Sequence, residues 1–494
     1  MKSLPPQVWV AIAHFIPALC LKDMLSVNRF FFNLAMDYRY RQISFTYLNE
    51  RMLWLLVRLR YFFLLSLLFF ALTRTRDSAI AQRVKTLYIY PDFLKRELYA
   101  THVEEDVKIS SDVLRHKLLK SGKCGLPAKF ILEFMQDVLS KLPNVSEYHI
   151  TWTGLPLTCL SNNPAQIFSS IFASAPIRRL TITISLENLS YLDAQVFSRL
   201  SSLEELRMVL HSEIPTSTVL PIPATPDLLM YSTTDFLTFT SSSTTLASAI
   251  SYVRNTLKTL EIEIRGPSPL GSFLPLIDDI PNLEKLLVSL PIDGDIQFDN
   301  HHSALSTFID RHSATLRALA LRAEQPIFSL GGRRGGSSSI TSNNSDADPF
   351  FLDTRFQKSL QNIRQTCLRS LDLNSTHIPI DTCLACIGTF RSTLVSLSLT
   401  GQYQSLSFIE EVLEELEVER DDGRCGLKEL RLGSVVLTPN LMDLLSEKAP
   451  KLEKLCLLVK DVASSSSPSP LSSPAEDCCG RREQQIVSLF VARI

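Results

Sequence analysis

Apolar positions along this chain recur in one short pattern, L-x-x-L-x-L, with other apolar residues standing in for Leu in places. Copies begin at Val84, Val145, Ile177, Leu203, Leu257, Leu283, Leu316, Leu368, Leu394, Leu427 and Leu452, and a weak twelfth sits at Leu228-Leu229-Met230. From Val145 on, many of the steps between starts are 25 or 26 residues, others are 29, 32 or 33, and one of 52 separates Leu316 from Leu368. Leucine-rich repeats run at about 20–29 residues, so the longer steps need longer loops and the longest is two units or one unit with an insertion. The last two apolar residues of a copy, such as Leu180 and Ile182 or Leu371 and Leu373, are two apart. A strand turns alternate side chains to opposite faces, so each such pair shares the buried face.

Before the strands the spacing changes to three and four residues, as at Leu441, Leu444 and Leu445, which predicts helices. The stretches are 164–174, 273–280, 304–311, 382–390 and 441–448. A helix–strand unit repeated many times builds a parallel sheet lined by helices. The common template places Asn or Cys eight residues after the first leucine. Here that position holds Arg265, Pro291, Thr376, Val435 and Lys460, so the buried amide ladder is missing and an irregular solenoid is expected from about residue 81 to 460. Residues 331–348 (GGRRGGSSSITSNNSDAD) read as a disordered insertion within it, and residues 461–494 as a Ser/Pro-rich tail. The insertion and residues 464–477 of the tail lack the apolar content that ordering requires. The tail holds three Ser-Pro dipeptides, at Ser467, Ser469 and Ser473, as candidate phosphorylation sites.

Composition narrows the function. The formal net charge is −1, from 50 basic and 51 acidic residues, which argues against a nucleic-acid footprint. Ten scattered cysteines are no disulfide framework. Cys383-x-x-Cys386 is half of a zinc pattern without a second pair nearby and reads as packing, so no metal and no cofactor is expected. Cys478-Cys479 reads as two exposed thiols, and His301-His302 as a pair in a polar loop. No Gly-rich phosphate loop, His-Glu-x-x-His or G-x-S-x-G occurs, so the expectation is a binding protein rather than an enzyme. The most apolar run, Tyr61–Leu72, lies in a helical linker at 46–80. Its 12 residues fall short of the roughly 20 that span a bilayer. Arg58 and Arg60 just upstream each cost about 2.5–3.5 kcal/mol at a span's centre, so a membrane partner is not expected. Without a basic start and apolar core in the first residues no secretory signal is predicted, which points to the cytoplasm or nucleus.

Residues 3–35 read SLPPQVWVAIAHFIPALCLKDMLSVNRFFFNLA and resemble an F-box. Leu4-Pro5 matches the opening of that motif. Val8, Ile12 and Phe15 form one helical face, Pro17 matches the break, Leu21 and Leu25 the next helix, and Val27-Asn28-Arg29 the start of the last one. Three phenylalanines, Phe30, Phe31 and Phe32, stand where the family usually has one aromatic. The opening LP-x-x-VW-x-x-IA, with RYRQISF at Arg39–Phe45 and RVKTLYIYP at Arg83–Pro91, is also similar to F-box families of mushroom-forming fungi. The resemblance implies an α/β chain with an N-terminal three-helix F-box at 1–45 followed by the leucine-rich solenoid. It implies a substrate-recognition subunit that binds a Skp-type adaptor, and through it the cullin of a ubiquitin ligase. Leu4, Pro5, Val8, Ile12, Phe15, Pro17, Leu21, Leu25, Val27 and Asn28 would make or support that contact. The other readings are a leucine-rich scaffold outside the ubiquitin system, its first helices acting as a cap, and a membrane-attached repeat protein.

For the unknown protein substrate, the repeats offer one column. The residue between the last two apolar positions of each copy points away from the core. It reads Thr181, Arg207, Glu261, Leu287, Ala320, Asp372, Ser398, Arg431 and Cys456. Mixed charge with small polar groups suits a folded protein better than a polyanion or a membrane.

Overall fold

A computed structural model describes residues 5–17, 20–45, 81–90, 139, 142–152, 172, 176–192, 194–211, 233–265, 273–291, 299–324, 367–374, 378, 380–401, 403–417, 426–462 and 485–489. Leu4, the linker at 46–80 with its Tyr61–Leu72 run, the weak copy at 228–230, the insertion at 331–348, the Ser-Pro sites and Cys478-Cys479 lie outside these residues, as does all of the predicted helix at 164–174 except Phe172.

The chain divides into two compact units, Met1–Leu257 and Lys258–Ile494. The first opens with α1 (Pro6–His14), a 3-10 helix (Cys20–Ser26) and α2 (Arg29–Tyr40). Five strands follow: β1 (Gln42–Phe45), β2 (Thr86–Ile89), β3 (Glu147–Trp152), β4 (Arg179–Ser185) and β5 (Glu205–His211). Each pairs in parallel with the next. Helices α3 (Ala194–Ser198) and α4 (Thr233–Val253) complete this unit.

The second unit runs β6 (Thr259–Arg265), β7 (Lys285–Pro291), α5 (Asp299–Arg311), β8 (Ala318–Glu324), β9 (Ser370–Asn374), α6 (Ile380–Phe390) and β10 (Ser396–Thr400). It continues with α7 (Leu406–Glu417), β11 (Glu429–Leu437), α8 (Pro439–Lys448) and β12 (Lys454–Val462). Strands β6 to β12 are parallel neighbours in chain order. β13 (Gln485–Leu489) lies antiparallel on β12.

Every well-formed copy of the repeat became a strand, β2 to β12, each beginning two residues after the copy's first apolar residue. The three apolar positions are the core: Leu257, Leu260 and Ile262 are fully buried, as are Leu283, Leu286 and Val288. β8 pairs directly with β9, so the 52-residue step is one unit with an insertion.

A second ladder runs through the backbone. The carbonyl of the residue after the first apolar position accepts two N–H groups from the next repeat. Lys85 O takes Ser146 N and Glu147 N at 3.0 and 3.1 Å, and Arg317 O takes Arg369 N and Ser370 N at 2.8 and 2.9 Å. The same doubled bond recurs at Arg41, Ser146, Arg178, Lys258, Glu284, Arg369, Val395 and Lys428. Strand starts are thereby satisfied without the side-chain amides of the common template.

Three expectations are corrected. Within 273–280 only Phe273 is α-helical; Leu274–Leu276 is a 3-10 turn, because Pro275 lacks the N–H a continuing helix would use. His301 and His302 lie in α5 and not in a loop; Asp299 and Asn300 precede them as helix-start residues. The C-terminal tail contains β13, whose Gln-Ile-Val-Ser-Leu sequence has the β-branched character of a strand.

Candidate functional site

Residues 5–40 form a small helical module with two unlike apolar groups. Leu21, Phe31 and Ala35 are buried at its centre, and Trp9, Ala13, Ile16, Met24, Phe30 and Leu34 pack around them. The Trp9 ring meets Phe31 edge-on at 5.5 Å between centroids, and Phe30 meets Phe31 likewise at 5.6 Å. The second group faces solvent: Val8 and Ile12 are each 39 % exposed, Val27 is 57 % and Phe15 is 88 %. Phe15 ends α1 as its C-cap, with its N–H on the carbonyl of Ile12 at 3.1 Å, and its side chain projects from a turn.

The sequence-derived contact set splits accordingly. Val8, Ile12, Phe15 and Val27 are surface, and Pro5 and Pro17 are exposed beside them. Leu21 is 7 % exposed and supports the module from inside, so it makes no outward contact. Leu25 falls in the 3-10 helix, and its side chain is outside the described residues. Asn28 is the N-cap of α2, its Oδ1 accepting from Phe31 N at 2.9 Å. Val10, at 47 % exposure, is also in solvent, but off the Val8–Ile12 face of α1.

The module is tied to the sheet. α2 leads into β1, and Tyr40-x-x-Ile43-x-Phe45 is a further copy of the repeat, with Ile43 and Phe45 buried. A Tyr in the first position concealed it. Arg83, just before β2, donates to Asn33 O and Asn33 Oδ1 at 2.9 Å each and pairs with Asp37, fastening α2 to the first repeats.

The outward strand positions form one row in each unit. In the first, register places Ser44, Tyr88, His149, Thr181 and Arg207 side by side. Tyr88 and His149 belong to this row although the sequence column started at Thr181. They occupy the same position in the Val84 and Val145 copies, which was the available signal. Their rings stack at 4.4 Å and 7°, and His149 Nε2 lies 3.1 Å from Glu147 Oε1. In the second unit the row is Glu261, Leu287, Ala320, Asp372, Ser398, Arg431 and Cys456. Ala320 is buried and offers no surface. Glu261 pairs with Lys285 at 2.6 Å and Asp372 with Arg322 at 2.6 Å, so both carboxylates present half of an ion pair.

Cys383 and Cys386 are core residues of α6. Burial pushes the Cys383 thiol up to about 12, and burial with Cys383 beside it pushes Cys386 up as well, so neither supplies a thiolate near neutral pH. Among the described residues no cluster of His, Cys, Asp and Glu could hold a metal ion, and no helix is long and apolar enough to cross a membrane. The chain matches no protein-family model and no curated protein.

Proposed function

We propose that this chain is the substrate-recognition subunit of a Skp–cullin–F-box type ubiquitin ligase, acting in the cytoplasm or nucleus. The N-terminal module docks on a Skp-type adaptor, and through it on a cullin. The repeats hold an as yet unidentified protein substrate. The chain binds and positions; the ubiquitin transfer belongs to its partners.

One observation carries this reading. The module keeps Val8, Ile12, Phe15 and Val27 in solvent while a separate set of apolar residues fills its own centre. A helical cap that served only the repeats would turn its large apolar groups inward, as terminal repeats with a polar outer face do. An exposed aromatic together with exposed aliphatic side chains is how protein interfaces present an anchor. The order Leu-Pro, Pro, Val-Asn-Arg supports the same partner.

Two substitutions separate docking from folding. Phe15→Asp changes a side chain that is almost wholly exposed and should leave the fold intact. It should abolish capture of a purified Skp-type adaptor. Leu21→Ala empties a core position and should lower stability by about 2–5 kcal/mol. Full adaptor binding by the Phe15→Asp chain, or none by the unaltered chain, would leave a leucine-rich scaffold outside the ubiquitin system.

A further inference from the structure

In the second unit, where β9 and β10 turn into α6 and α7, large apolar side chains stand in solvent: Ile380 is 49 % exposed, Tyr403 51 % and Leu406 38 %. A pocket of about 70 Å³ opens here, lined by Ile378, Ile380 and Cys383 from the α6 side and by Tyr403 and Phe408 from the α7 side. It accommodates one branched aliphatic side chain and is too small for a nucleotide. Its wall is held by backbone. Gly401 turns the chain at φ 110°, Gln404 N donates to Ser434 O at 2.9 Å, and Ser405 Oγ accepts from Phe408 N at 3.2 Å at the start of α7. Lys460 Nζ lies 5.7 Å from the Tyr403 ring centroid.

From this rim an acidic stripe runs along α7. Glu415 is paired with Arg391 at 2.9 Å and Glu417 with Lys448 at 3.1 Å. Glu410, Glu411 and Glu414 are exposed and make no ion pair among the described residues. Their arrangement works against the helix. Glu410 with Glu414 and Glu411 with Glu415 are like charges four apart. The last turn holds no basic residue, so its acids also oppose the helix dipole. Arg391 and Lys448 offset the charge at Glu415 and Glu417 and, through Lys448, part of that at Glu414, whereas Glu410 and Glu411 have no ion-pair partner among the described residues. Leu406, Glu410 and Glu414 follow one another at four-residue steps, so the apolar rim and the acidic stripe form one surface.

We propose that this surface docks a basic amphipathic segment of a partner protein. An aliphatic side chain of the partner fills the pocket, and its lysines or arginines lie along Glu410, Glu411 and Glu414. Apolar anchoring supplies the affinity, and charge complementarity selects the partner and its orientation. The surface lies on the helix side of the repeats of the second unit, not on its outward strand row, and its proposal does not depend on adaptor docking.

The probe is a labelled synthetic helix of about sixteen residues, with leucines at i, i+3, i+4 and i+7 and lysines elsewhere. Two controls replace all its lysines by glutamates, or all its leucines by serines. The full-length chain should bind the Leu/Lys helix, more weakly as salt rises, and neither control. Charge reversal at Glu410, Glu411 and Glu414 together should weaken binding about tenfold or more, and Tyr403→Ser should do so independently. Hydrogen exchange should slow on binding within 378–414. Circular dichroism checks that each variant keeps its fold; the charge reversal leaves positions 410 and 414 alike in charge and turns 411 and 415 into an opposite pair. Binding unchanged in either variant, or equally tight binding of the leucine-free control, overturns the proposal.

Discussion

His312 shows how one side chain joins neighbouring repeats. It is 3 % exposed; Nε2 accepts from Ile280 N at 3.0 Å, and Nδ1–H donates to the Phe308 carbonyl at 2.7 Å. Both bonds together require the neutral ring. Burial holds its pKa below the ordinary 6.5, and Arg311 adds to this, outweighing the Phe308 bond and Asp279, which act the other way. The sign follows from proton counting. Below about pH 6.5 the unfolded chain takes up a proton that the folded ring refuses, so this contribution is complete above 6.5 and is lost as pH falls toward the folded value. Urea denaturation should therefore show stability falling from pH 7 to 5.5. His312→Phe should lower stability at pH 7 by about 1–3 kcal/mol, since Ile280 N–H loses its acceptor, and should flatten part of the acid slope. An unchanged slope in that variant would assign the acid sensitivity to other groups.

Among the elements, strands were legible in the sequence and many of the surfaces were not. A strand's two-residue alternation repeats in every copy, so the apolar pair marks each of β2 to β12 though not its length, and Tyr40 in the first position hides β1. Helices α6 and α8 were read to within two residues of their starts, because Ile380–Phe390 and Pro439–Lys448 keep an apolar stripe. The 3-10 turn at Leu274–Leu276 was misread as a helix because its apolar spacing is helical while Pro275 forbids the hydrogen bonds. Periodicity separates apolar from polar residues, not a module's core from its surface, so it leaves open that Leu21 supports from inside while Phe15 faces solvent. Two local devices are testable. Asn28→Ala removes the cap of α2 and should cost about 1 kcal/mol in thermal denaturation. Gly401→Ala places a Cβ where the backbone has φ 110° and should cost about 1–3 kcal/mol. A Gly401→Ala chain as stable as the original would show that the turn relaxes freely.

For the whole molecule, its final strand has particular weight. β13 pairs antiparallel along β12 from Leu455–Leu489 to Val459–Gln485 and covers an edge that would otherwise expose backbone donors and acceptors. Ending the chain after Val462 should leave a folded protein that self-associates with rising concentration, as followed by light scattering. A monomer at all concentrations would mean that this edge needs no cover. The doubled carbonyl bonds have a different consequence. They hand each repeat to the next at the strand start, whatever length of chain intervenes. Arg317 and Arg369 meet across 52 residues as well as Arg369 and Val395 do across 26. Loop length is thus decoupled from register, so segments can be lengthened or exchanged between repeats without retuning the core. A fold built this way can vary what it recognises while its framework stays constant.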